Sequence, residues 1–176
     1  GNAVQLYLSN KDIYKGTLAA VVSLSGFGQK PTFVAKNSST GMYYVGVKGQ
    51  TNDAIRVVDQ AGNQQARLEP NQGQGLRGGT YADTPGGPVL FVAQNGGSNR
   101  KIHKINASTG AVISTQTLAQ FVQNIGGLAQ MPGAGGGGDL IAFEANSDTF
   151  HKISPTATSN PVYPTSSVTV FDNNYM

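Results

Sequence analysis

Cysteine and tryptophan are absent from this 176-residue chain, histidine occurs twice, and charged side chains make up only 12% of it. Each shortage excludes something. Without cysteine there is no disulfide framework, no thiolate nucleophile and no sulfur-ligated metal. The charged share is about half the usual one of roughly 25%, and the net charge of +3 is spread thinly. No stretch concentrates Lys and Arg into the basic stripe that a nucleic-acid partner requires. No apolar run approaches the roughly 18 residues of a membrane helix, so helical membrane insertion is not expected. A G-x-S-x-G nucleophile elbow is missing as well, which removes the usual sign of Ser/His/Asp catalysis.

What fills the gap is Asn, Gln, Ser and Thr, together with 24 glycines. This composition suits a β-protein with many turns, kept soluble by amides and hydroxyls rather than by charge. Regularly spaced apolar runs argue against disorder. The low charge leans towards an extracytoplasmic setting: secreted, periplasmic or on a virion surface. No signal peptide is visible, and Gly1-Asn2-Ala3 is compatible with the start of a processed chain.

The strongest pattern is a repeat. The segments "DIYK" at Asp12–Lys15, "AIRV" at Ala54–Val57, "KIHK" at Lys101–Lys104 and "TFHK" at Thr149–Lys152 align on Ile13, Ile55, Ile102 and Phe150. Their spacing is close to the 40–50 residues of one propeller blade. Each follows an apolar run, "QLYLS", "MYYVGV", "VLFVAQ" or "LIAFEA", in which Tyr7, Tyr44, Phe91 and Ile141 occupy matching places. Two units continue into hairpins, "VDQAGNQQARL" and "INASTGAVIST". There Asp59 or Asn106 caps the turn with its side chain, and Gly62 or Gly110 supplies the positive φ that closes it. An earlier short strand recurs as "TFVA", "GTYA" and "GGLA", aligned on Phe33, Tyr81 and Ala129. Four short strands per unit is the pattern of a blade.

These observations predict an all-β, β-propeller-like single domain with four blade repeats, at 1–30 plus 168–176, 31–76, 77–124 and 125–167. The first is expected to be shared between the termini, with "VTVF" at Val168–Phe171 completing the unit that "VQLYLS" begins. A β-sandwich is the alternative. Four blades is the low end for a ring, so closure within one chain competes with a homo-oligomer and with membership of a larger propeller.

The units resemble those of the YVTN and quinoprotein-like propellers. That resemblance implies a binding or assembly module acting on a protein partner or on a second copy of itself, without cofactor or catalytic residues. It also implies one enzymatic alternative, because lactonase-like propellers hold a cation at the channel mouth with Glu, Asn and Asp. Glu144, Asn95 and Asn52 stand on comparable loops here and are the metal candidates, for Ca²⁺. A carbohydrate-binding propeller is a third possibility, with Tyr43, Tyr81 and Tyr163 as stacking candidates, although the best stacking residue, tryptophan, is absent.

The two histidines carry less than they promise. His103 and His151 fall at the repeat position also held by Tyr14 and Arg56, which predicts packing residues that accept a tyrosine. "GAGGGG" at Gly133–Gly138 lacks the Lys-Ser/Thr of a phosphate loop. Asn37 and Asn106 begin glycosylation-type triplets that arise by chance in so Asn- and Ser-rich a chain.

Overall fold

All the regular elements among the described residues are strands, the inner ones such as YYVGV and VLFVA being apolar runs buried on both faces, and none of the described residues is helical. The computed structural model describes residues 29–96, 100–118, 124–131, 138–144 and 149–155. Among the described residues, eleven strands make three antiparallel meanders. The first sheet runs β1 (Pro31–Lys36), β2 (Tyr43–Val47), β3 (Ala54–Val58) and β4 (Gln64–Leu68) in order. The second runs β5 (Leu76–Thr84), β6 (Gly87–Gln94), β7 (Lys101–Asn106) and β8 (Val112–Thr117). The third holds β9 (Ile125–Gln130), β10 (Leu140–Glu144) and β11 (Thr149–Ile153). The expected unit made of 1–30 and 168–176 lies outside the described residues, apart from residues 29 and 30, as do Tyr7, Ile13, Tyr14 and Tyr163. The described sheets form no closed ring.

Register ties the sheets to one another. Ile55 faces Gly46, Ile102 faces Ala93 and Phe150 faces Phe143. Two residues earlier in each second strand, Tyr44 faces Val57, Phe91 faces Lys104 and Ile141 faces Lys152. The first strands depart from the expected alignment. Phe33, Gly78 and Gly127 are the residues that face Gly46, Ala93 and Phe143, so Phe33 does not correspond to Tyr81 or Ala129.

Because cross-strand partners share a face, the first and second sheets each have two distinct apolar surfaces. Tyr44, Ile55, Val57 and Leu68 of the first sheet bury against Leu76, Leu90, Val92 and Ile105 of the second. The opposite face of the second sheet, with Val89, Phe91, Ala93 and Ile102, buries against Ile125, Leu128, Leu140, Ala142 and Ile153 of the third. A smaller cluster, Val45, Val47, Ala54 and Val58, lies on the other side of the first sheet. The sheets therefore stack face to face in chain order, the second between its neighbours.

The hairpins are closed by the expected chemistry. Asp59 Oδ1 accepts from Ala61 N at 2.9 Å and Asn63 N at 2.8 Å, and Gly62 has φ +89°. Asn106 Oδ1 accepts from Ser108 N and Thr109 N, and Gly110 has φ +78°. Asn37 repeats that turn in "NSSTG", with its Oδ1 accepting from Ser39 N and Thr40 N ahead of Gly41 at φ +74°. The Asp59 carboxyl is held below the usual carboxylate range, chiefly by the backbone N–H of Asn63.

Candidate functional site

The first strand of every sheet carries a β-bulge at one register position. Thr32 is passed over between Pro31 and Phe33, Arg77 between Leu76 and Gly78, and Gly126 between Ile125 and Gly127. A bulge leaves one residue out of the ladder and re-aims its side chain, and bulges gather beside functional sites. Here β5 lies between β1 and β9, and all three bulged residues line one open cleft. The cleft has a volume of about 190 Å³, and Phe33, Val34, Gly78, Gly79, Gly127 and Leu128 form the rest of its wall.

Glycine lets the three strands come this close. A Cβ on Gly78 would sit 3.0 Å from the Gly127 carbonyl carbon and the Leu128 nitrogen. The Phe33 ring is pinched between two more glycines: a Cβ on Gly46 would lie 2.3 Å from it and one on Gly79 2.4 Å. The Thr32 hydroxyl is turned towards Gly46, where a Cβ would approach it to 2.7 Å. That leaves Arg77 as the polar side chain the cleft presents. Arg77 is exposed and has no hydrogen bond or ion pair among the described residues. No acidic residue lines the cleft.

Around this cleft, buried polar groups fasten sheet to sheet. Asp53 is buried, and its Oδ2 accepts from Gly75 N at 2.8 Å and Leu76 N at 2.9 Å, while Oδ1 accepts from Gly49 N at 3.0 Å. The carboxylate in the β2–β3 loop thus holds the start of β5. Asn95, in the β6–β7 loop, does the same for β9. Its Nδ2 donates to Ile125 O at 2.6 Å, and its Oδ1 accepts from Ile125 N at 3.2 Å. Asn52 Oδ1 accepts from Gly73 N at 2.9 Å.

Glu144, the third metal candidate, is buried at the end of β10 with its Oε2 2.8 Å from His151 Nε2. The equivalent positions in the second sheet are Gln94 and His103, where Gln94 Oε1 lies 2.9 Å from His103 Nε2. His103 Nδ1 also lies 2.9 Å from Thr115 Oγ1. Burial first, and then the Lys101 charge, hold the His103 imidazole down to about 4, which keeps it neutral near pH 7. Asn52, Asn95 and Glu144 each have a bond that holds the fold, on three different sheets, and they do not form one cluster. Among the described residues no group of three or more His, Asp or Glu is arranged to hold a metal.

Of the tyrosines expected to stack on a sugar, Tyr81 and Tyr43 are also engaged, and Tyr163 lies outside the described residues. The Tyr81 ring stacks on Tyr44 at 5.6 Å, its hydroxyl donates to Asp83 Oδ1 at 2.6 Å, and Asn37 Nδ2 donates to it at 2.8 Å. Burial, followed by the Asp83 carboxylate, pushes the Tyr81 hydroxyl above the usual tyrosine range. Lys36 lies over the Tyr43 ring at 5.5 Å. Sequence reasoning passed over Arg77 and Phe33 as site residues. Their signal was the double glycine, Gly78-Gly79 and Gly126-Gly127, one register position out of step between two units.

No protein-family model and no curated protein matches the chain. Among solved structures it is similar to a protein of unknown function from Bacteroides caccae, with a TM-score of 0.51 and 12% sequence identity. The likeness covers 81% of this chain but only 46% of that one, so the chain spans less than half of its neighbour's length. At this identity the likeness concerns the all-β fold alone.

Proposed function

We propose that the chain is a non-enzymatic, propeller-type binding module whose contact site is the cleft where β1, β5 and β9 converge. The observation that carries this reading is the repeated bulge, which directs Thr32, Arg77 and Gly126 of three successive sheets into one cavity. Blade-like units with their first strands innermost would produce such convergence, and ligand sites favour such concave places. The polar fastenings at Asp53, Asn95 and Glu144 support a scaffold role for those residues. The cation-dependent hydrolase reading has no comparable support, because its three candidate residues each have a bond within the scaffold.

Self-association or membership of a larger ring completes the proposal. It is supported by the Bacteroides caccae neighbour, whose chain extends well beyond the part that matches. The low charge and the amide-rich surface favour a place outside the cytoplasm. A fragment screen read by amide chemical shifts tests the contact site. Saturable shifts should gather at residues 32–34, 77–79 and 126–128. Hits confined to other surfaces, with this cleft silent, would sink the reading.

A further inference from the structure

The cleft is small, well below the roughly 300–1,000 Å³ of pockets that enclose drug-sized ligands. It suits a small molecule or one functional group. Its chemistry is lopsided, with one guanidinium, no carboxylate, and an apolar wall of Phe33, Val34 and Leu128. Arg77 has no internal partner among the described residues, so a ligand meets a guanidinium that need not first give up an ion pair. The chain as a whole carries +3, which adds a weak attraction for anions.

We propose that this cleft binds a small monocarboxylate, an inference that rests on the cleft being the contact site. The carboxylate would take the planar fork of Arg77 in a bidentate pair. Its short hydrocarbon part would lie against Phe33 and Leu128. One cation balances one negative charge, whereas a phosphate dianion would be left half-compensated beside apolar walls.

Titration of the isotope-labelled full chain with butyrate, butyramide and inorganic phosphate tests this. Butyrate should give saturable amide shifts at Gly78, Gly79, Gly126, Gly127 and Leu128. Butyramide and phosphate should each bind at least tenfold more weakly. Arg77→Gln should lose the butyrate response by tenfold or more, with other amides unmoved, and Arg77→Lys should restore part of it. Equal binding of butyramide, equal binding of phosphate, or an unchanged response in Arg77→Gln would each overturn the proposal. If butyramide binds the cleft as well as butyrate, the contact site stands and only the carboxylate inference falls. If these probes and the fragment screen all leave the cleft silent, both fall.

Discussion

Glu144 and His151 form a buried pair, Oε2 to Nε2 at 2.8 Å, at the register positions that Gln94 and His103 hold one sheet earlier. A carboxylate and an amide thus serve the same neighbour type at equivalent places, since both offer an acceptor oxygen to an imidazole N–H. Glu144→Gln should therefore be mild, within about 1 kcal/mol, because the second sheet already uses that pairing. Glu144→Ala removes the acceptor and opens a cavity, and should cost about 2–4 kcal/mol. Urea melts of the two variants check the difference. A cost for the glutamine variant as large as for alanine would mean that the carboxylate does something the pairing does not explain.

His103 gives a pH prediction. Burial holds its imidazole down to about 4 in the folded chain, against the ordinary 6.5 when unfolded, so between those values the unfolded chain binds the extra proton. This contribution to stability is fully present above about pH 7, is lost progressively as pH falls to about 4, and changes no further below that. The loss should shrink in His103→Gln, measured as the pH dependence of the urea midpoint. The same geometry revises the expectation for tyrosine. Position 103 has 0% exposure and two polar partners, so the larger ring should cost about 1–3 kcal/mol, where a packing role alone predicts no more than about 1.5 kcal/mol.

How far the sequence disclosed this arrangement depends on which contacts set each feature. Strand positions follow from local alternation, so "AIRV", "KIHK" and "TFHK" were legible as equivalent third strands through Ile55, Ile102 and Phe150. Hairpin turns are also local, and Asp59 with Gly62 or Asn106 with Gly110 declared them. The cleft was not legible, because a bulge exists only relative to a partner strand. Local pattern alone aligns Phe33 with Tyr81 and Ala129, three and two residues beyond its register counterparts Gly78 and Gly127. Asn52, Asn95 and Glu144 looked like loop oxygens free for a cation. Their bonding partners, the backbone of Gly73 and Ile125 and the imidazole of His151, come from 7 to 30 residues away.

Asp53 should prove the most sensitive of the joints. Its Oδ2 accepts from two backbone N–H groups that open β5, and both are buried. Asp53→Asn places an NH₂ against donors on one side of the group and removes the charge that strengthens these bonds. The expected loss is about 2–3 kcal/mol, read from chemical denaturation. A loss below about 0.5 kcal/mol, the level of an ordinary surface change, would show that the carboxylate is not what holds the first two sheets together.

The Phe33 ring fills the gap between Gly46 and Gly79 and cannot retreat from one without meeting the other. Gly79→Ala should therefore destabilise by about 1–3 kcal/mol through overpacking. Phe33→Leu should cost about 1 kcal/mol and relieve much of that strain in the double variant. A double-mutant cycle with no coupling would mean that the strands part rather than the ring. In that case residues 77–79 and 126–128 should shift in Gly79→Ala spectra, because the cleft itself would have widened.

Assembly is the last expectation. Sheets that stack in chain order, each presenting a different face to each neighbour, can continue indefinitely until the series closes on itself. On the proposed propeller reading, that closure is a ring larger than these sheets supply. If copies of this chain combine to complete one, folding is linked to association and the melting temperature must rise with protein concentration. Sedimentation should then show a species heavier than the 18.3 kDa monomer. Pairing should be disrupted by changes on apolar sheet faces rather than at the cleft. A protein that sediments as a monomer and melts at one temperature across a hundredfold concentration range would refute assembly from identical copies. The carboxylate prediction for Arg77 would be untouched, since the three strands that build the cleft all belong to one chain.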